Sequence, residues 1–200
     1  MTQVKVFVAL PAIADSAAEL GVSRRTMQSP SVVFAMEEAR MILLKWERLR
    51  FIRLSVSGGG RKWRDIKNST KKRKARKLRR GQATAKPTWI MRENDNILMA
   101  IDAKKSVRGR RGFNVGILHD RPHSHSKLSV GNLASLHNPI WPIVEKPPPD
   151  IMERIQAPVI EALNKEAKRE ERIKAPPKQA PPIRNFRAPP IRNFRPGRRR

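Results

Sequence analysis

The sequence predicts an α+β domain: a long amphipathic helix packed on a small, mostly antiparallel sheet, a C-terminal helix, and an extended Pro/Arg-rich tail. Three observations predict it. Apolar residues recur at helical spacing through residues 30–54, and three short apolar runs of strand length lie at 4–10, 97–103 and 113–118. Beyond residue 173, proline and basic residues dominate and no apolar periodicity continues. The domain is placed at residues 1–173, with a basic loop at 57–88, and the tail at 174–200.

In the first run, Val4, Val6, Val8 and Leu10 alternate with Lys5, Phe7 and Ala9, the period of a half-buried strand, and Pro11 ends it. Ser29 and Pro30 then form a helix start, Ser29 as N-cap and Pro30 in the first turn. Val32, Ala35, Ala39, Ile42, Trp46 and Leu49 follow along one face, with Glu38, Lys45 and Arg48 away from it. Gly58-Gly59-Gly60 closes this segment and opens a loop.

The runs at 97–103 and 113–118 are bounded by Asn, Asp or Gly. The basic turn Val107-Arg108-Gly109-Arg110-Arg111-Gly112 joins them as an antiparallel pair. After Pro147-Pro148-Pro149, Asp150 is positioned to cap a helix carrying Ile151, Ile155, Val159, Leu163 and Ala167. Pro158 is expected to kink or split that helix, and Glu161 with Lys165 supplies an i,i+4 pair.

Charge divides the chain more sharply than hydropathy does. Lys and Arg number 44 against 17 acids, a formal +27 over 200 residues. Residues 61–80 carry 12 bases and one acid, and residues 174–200 carry 9 bases and none. These 47 residues therefore hold +20 of the +27, and the rest is only mildly basic. The run KKRKARKLRR at 71–80 suits counterion-releasing contact with phosphates. The candidate nucleic-acid-binding residues are Arg61, Lys62, Arg64, Lys67, Lys71, Lys72, Arg73, Lys74, Arg76, Lys77, Arg79 and Arg80. Nothing points to base readout: there is no helix-turn-helix pattern, no aromatic RNP-like strand and no tyrosine.

The tail repeats APPIRNFR at 180–187 and 188–195 without a change. Paired prolines exclude helix and central strand, which leaves polyproline II or disorder in the free chain. Ile183, Phe186, Ile191 and Phe194, with Arg184, Arg187, Arg192 and Arg195, are the candidate partner-binding residues. The duplicated linear motif suits an arm that orders on a partner.

Catalytic signatures are sparse. There is no cysteine, so disulfides, thiol nucleophiles and cysteine-held zinc are excluded. No P-loop, GxSxG elbow or HExxH occurs. The four histidines fall within 19 residues, and His123 and His125 with Asp120 or His119 form a thin metal-ligand pattern. His119-Asp120, Gly131-Asn132-Leu133 and Leu136-His137-Asn138 echo an HNH nuclease. The five residues from Asn132 to His137 are too few for the helix that fold needs between them, and its paired cysteines are missing. No cofactor and no metal are expected, and a non-enzyme is preferred. No apolar stretch is long enough to cross a membrane, and a short apolar N-terminal run without preceding bases argues against a signal peptide.

Several motifs in order resemble the phage tail-completion, or virion morphogenesis, family. Trp63, Ile66, Ser69 and Thr70 precede the basic run as in that family, after a long helix. The segment IMRENDNILMAI at 90–101 is similar to its ILxxTGxLxxSI, with Asn94, Asp95 and Ala100 in place of Thr, Gly and Ser. Asp is among the residues that best tolerate the left-handed backbone a Gly would adopt. Leu133-Ala134-Ser135-Leu136-His137 is similar to YAxxHxxG, and Ile140 and Pro142 match a Pro-containing loop before the last helix. Tyr at 133, Gly after His137 and an RPF triplet near Pro142 are missing.

The resemblance spans about residues 30–170. It implies a structural virion protein of the neck, assembled in the host cytoplasm. Such a protein forms a homo-oligomeric ring between head-closure or adaptor proteins and the tail tube, in nonspecific contact with DNA. His137 is then a packing or hydrogen-bonding residue. The alternative on charge alone is a ribosomal-type or nucleoid nucleic-acid-binding protein, with the HNH-like nuclease behind it.

Overall fold

The computed structural model describes residues 4–23, 25–55, 65–83, 86–92, 95–106, 112–118 and 128–174. Strand β1 (Lys5–Ala9) leads directly into helix α1 (Pro11–Glu19). A 3-10 turn (Thr26–Gln28) precedes α2 (Pro30–Ser55). Then come α3 (Asn68–Arg79), α4 (Asn96–Ala100), β2 (Ile101–Lys105), β3 (Gly112–Ile117), α5 (Val130–His137) and α6 (Pro149–Lys174). The class is α+β, as the patterning predicts.

The sheet is antiparallel in the order β1-β3-β2. Val8 lies opposite Phe113, and Ala103 opposite Val115. Pairing of the 97–103 and 113–118 runs is as expected, except that residues 96–100 turn as α4 before the strand begins; the basic turn at 107–111 lies outside the described residues. Val4, Val8 and Leu10 are buried on one face, as their alternation requires. The central strand lies close under β1. A Cβ on Gly116, whose φ is +150°, would stand 2.0 Å from the Val4 carbonyl oxygen, and one on Gly112 would stand 2.3 Å from that of Val8.

Helix α2 is the spine, packed against α6, β2 and the 3-10 turn. Ser29 caps it: the Val33 amide bonds the Ser29 carbonyl at 3.0 Å, and the Val32 amide reaches Ser29 Oγ at 3.4 Å. Its buried face is Val32, Ala35, Met36, Ala39, Leu43, Leu44, Glu47, Phe51 and Ser55. The expected stripe is therefore rotated beyond Ala39. Ile42 and Trp46 flank the core, and Leu49 is exposed. The true face runs through a charged residue, Glu47, which apolar periodicity steps around.

Helix α6 seats Ile155, Val159 and Leu163, all fully buried. Pro158 does not split it, because these three residues flank the proline and hold the helix to the core. The cap is also displaced. The Pro148 carbonyl accepts the Ile151 and Met152 amides at 3.1 and 2.9 Å, which leaves Asp150 in the first turn, where it complements the helix dipole. Glu161 and Lys165 form no ion pair among the described residues. The carboxylates that do engage are Glu166, which accepts from Ser31 Oγ at 2.7 Å, and Glu170, which accepts from Thr26 Oγ1. Among the described residues no helix is long and apolar enough to cross a membrane.

Candidate nucleic-acid interface

The segment expected as part of a basic loop at 57–88 is helical over Asn68–Arg79. Lys, Arg, Ala and Leu are strong helix formers, and their propensity outweighs the repulsion between like charges. Gly81, at φ +69°, ends the helix. The Gln82 amide bonds the Lys77 carbonyl at 2.9 Å and the Gly81 amide bonds that of Leu78 at 3.0 Å, the double closure of a Schellman cap. Arg76, Lys77 and Arg79 occupy the last turn, where positive charge suits the dipole.

Helical periodicity sorts the candidate cations into classes. Lys67, Lys72, Arg73, Arg76, Arg79 and Arg80 are exposed, and Lys77 is half-buried. Lys71 is engaged by Asp65 at 2.6 Å, and that bond holds the Asp65 carboxyl below its usual range. Lys74 points the other way. It is buried, and its ammonium donates to the main-chain carbonyls of Trp89 and, at 3.1 Å, of Arg92. As a structural pin it is withdrawn from any phosphate, unlike the exposed Lys72, Arg73, Arg76 and Arg79 of its helix. Arg61, Lys62 and Arg64 lie outside the described residues, as do the tail candidates from Ile183 to Arg195.

The loop that receives Lys74 is itself fixed to α2. The Ile90 amide donates to the Ser55 carbonyl at 2.7 Å, and the Ile90 side chain is fully buried. The Arg92 guanidinium lies 4.0 Å from the Trp89 ring centroid and grips Asp95 with two bonds, 2.6 and 2.9 Å. Asp95 adopts φ +54°, the left-handed conformation expected where the resembled motif has Gly. A series of contacts thus links the end of α2, through a clamped turn, to one lysine of the cationic helix.

A second polar cluster closes the far side of α2. Glu47 is fully buried; one carboxylate oxygen accepts the Glu145 amide at 2.9 Å and the other accepts Arg50 Nε at 2.8 Å. Arg50 in turn donates to the Ile143 carbonyl at 2.6 Å. Burial pushes the Glu47 carboxyl above the ordinary glutamate value of 4.5, against the opposing pull of Arg50. This pair ties the Pro142 loop to the helix. Nothing in the apolar pattern marks it, although Glu-x-x-Arg at i,i+3 inside a helix is its sequence trace.

The histidine candidates divide. His119, Asp120, His123 and His125 lie outside the described residues. His137 ends α5, its ring 5.4 Å from that of Trp141, and burial pushes its pKa below 6.5. Asn132 is engaged through its amide, which bonds Ser129 Oγ at the start of α5. Among the described residues no three His, Asp or Glu side chains are grouped to hold a metal ion. No family model, curated protein or solved structure matches the chain.

Proposed function

We propose that this chain is a structural phage protein of the neck, which completes the tail and joins it to the head. It works without catalysis, as a homo-oligomeric ring between head-closure or adaptor proteins and the tail tube, and α3 contacts DNA without reading its sequence. The observation that carries the reading is α3 itself: Lys72, Arg76 and Arg79 recur at i, i+4 and i+7 on one exposed face, with Arg73 and Arg80 beside it. Such a row matches a phosphate backbone and is costly to hold without one.

The arrangement of the resembled motifs adds support. The Ile90 segment, the left-handed Asp95 and the Pro142 loop are all tied to the C-terminal half of α2 or to one another. Electron microscopy of a lysate from phage lacking this gene tests the neck role. Filled heads beside separate, full-length tails are expected; normal infectious particles overturn the proposal.

DNA contact is tested separately with the triple variant Lys72→Glu, Arg76→Glu, Arg79→Glu. Affinity for duplex DNA is expected to fall at least about tenfold, and the salt dependence to flatten by roughly one unit of slope per lost phosphate contact. Unchanged binding by the folded variant removes α3 from the interface. Tight binding by a monomer, with normal virions in the deletion, would favour the ribosomal-type or nucleoid reading.

A further inference from the structure

One face of α2 has no partner among the described residues. Phe34 is 74% exposed, Met41 51% and Leu49 43%, while α6 and β2 pack against other sides of the helix. These three residues share a face with Glu38 and Lys45, and neither of those two forms an ion pair among the described residues. Met41, Ile42, Leu44 and Leu49 border a shallow depression of about 440 Å³ on this side. A strip of this length, apolar at both ends and in the middle and bordering a depression, suits a cover of matching shape.

The order of residues specifies the cover. The midpoint between Met41 and Ile42 is equally far from Phe34 and Leu49, and equally far from Glu38 and Lys45. Turning the helix about a two-fold axis through that point lays Phe34 on Leu49 of the partner subunit. It lays Glu38 on Lys45 of the partner subunit, and both contacts occur twice. We infer that this face of α2 binds the same face of a second copy of the chain, antiparallel, about a two-fold axis between Met41 and Ile42. The complementarity is internal to one helix: acid faces base and apolar faces apolar only in this orientation. A parallel pair in register would set Glu38 against its own copy.

This inference is independent of the neck reading. A two-fold contact closes at two copies, whereas a ring uses two different patches, so the two surfaces are distinct. A single helix pair buries less than the roughly 800 Å² per partner of a standard interface. The dimer is accordingly weak, half formed at about 10–100 µM.

The chain has no cysteine, which permits a register test. In nuclease-treated protein at about 0.5 M salt, where bridging by nucleic acid is suppressed, sedimentation of the wild type is expected to show a concentration-dependent dimer. Met41→Cys, beside the axis, is expected to oxidise to a covalent dimer. Phe34→Cys, about 22 Å along the helix from its counterpart, is expected to stay monomeric under the same oxidation. Glu38→Lys and Lys45→Glu should each weaken association at least about tenfold, and the double exchange should restore it. A wild type that is monomeric at about 300 µM, ready cross-linking through Phe34→Cys alone, or a double exchange as weak as the single variants would each overturn the inference. All four side chains lie on the surface, so the variants retain the fold.

Discussion

Glu47 and Arg50 show how one residue pair can fix both a helix face and a loop. The carboxylate is removed from water, yet both its oxygens accept hydrogen bonds, one from the Glu145 amide and one from Arg50. Because its folded pKa lies above the ordinary 4.5, the native state holds a proton that the unfolded chain has already released. Stability from this residue is therefore present at low pH and declines as pH rises above 4.5 through the folded value. Denaturant unfolding of wild type and Glu47→Gln from about pH 4 to pH 8 should show the wild type's advantage shrinking over that window. A constant difference would mean the carboxyl titrates normally. His137 works in the opposite sense: its depressed pKa gives stability that is present above 6.5 and lost as pH falls.

Gly116 is the most exacting single position. A methyl group there would collide with the Val4 carbonyl at a φ that side chains rarely adopt. Gly116→Ala should cost about 3 kcal/mol or more and leave little soluble protein. A variant melting within a few degrees of wild type would contradict that. At this scale the sequence was only partly legible. Ser29 as N-cap and the tolerance of Asp95 for left-handed backbone follow from residue chemistry alone. Glu47 and Lys74 do not, because a buried charge is defined by partners distant in the chain, here Glu145 and Trp89.

At the scale of elements, apolar periodicity located α2, β1, β3 and α6 and missed shorter pieces. Pro11 both stops the strand, as the alternation predicts, and occupies the first turn of α1, where its missing amide costs nothing. Helix α3 falls where density of charge predicts a loop, and helix propensity outweighs the repulsion. Its attachment makes a definite prediction. Lys74→Met leaves the Trp89 and Arg92 carbonyls without their ammonium and should destabilise the α3 segment by about 1–3 kcal/mol. Hydrogen exchange should then quicken in 68–79 while α2 stays protected. Equal protection in both proteins would show that the pin is dispensable. In α6, Pro158→Ala restores a backbone donor within an otherwise continuous helix, and its thermal midpoint should rise. A fall would mean that the proline ring itself is needed for packing.

The whole molecule separates a near-neutral core from concentrated positive charge. Twelve of the 44 bases fall within residues 61–80, and α3 crowds seven of them into residues 71–79 with no acid in the helix to offset them. Like charges at i,i+4 repel, so added salt should raise the melting temperature, and a polyanion should do so at far lower concentration. A melting temperature indifferent to both would mean that α3 contributes nothing to the cooperative unit.

The clamp beside α3 also has an optical side. With no tyrosine in the chain, near-ultraviolet emission comes from four tryptophans alone. Trp89 is the one whose ring lies under Arg92 and whose carbonyl receives Lys74. Subtracting the spectrum of Trp89→Phe from that of the wild type isolates a lamp mounted beneath the middle of the cationic helix, and its colour and quenching follow what docks there without any added label.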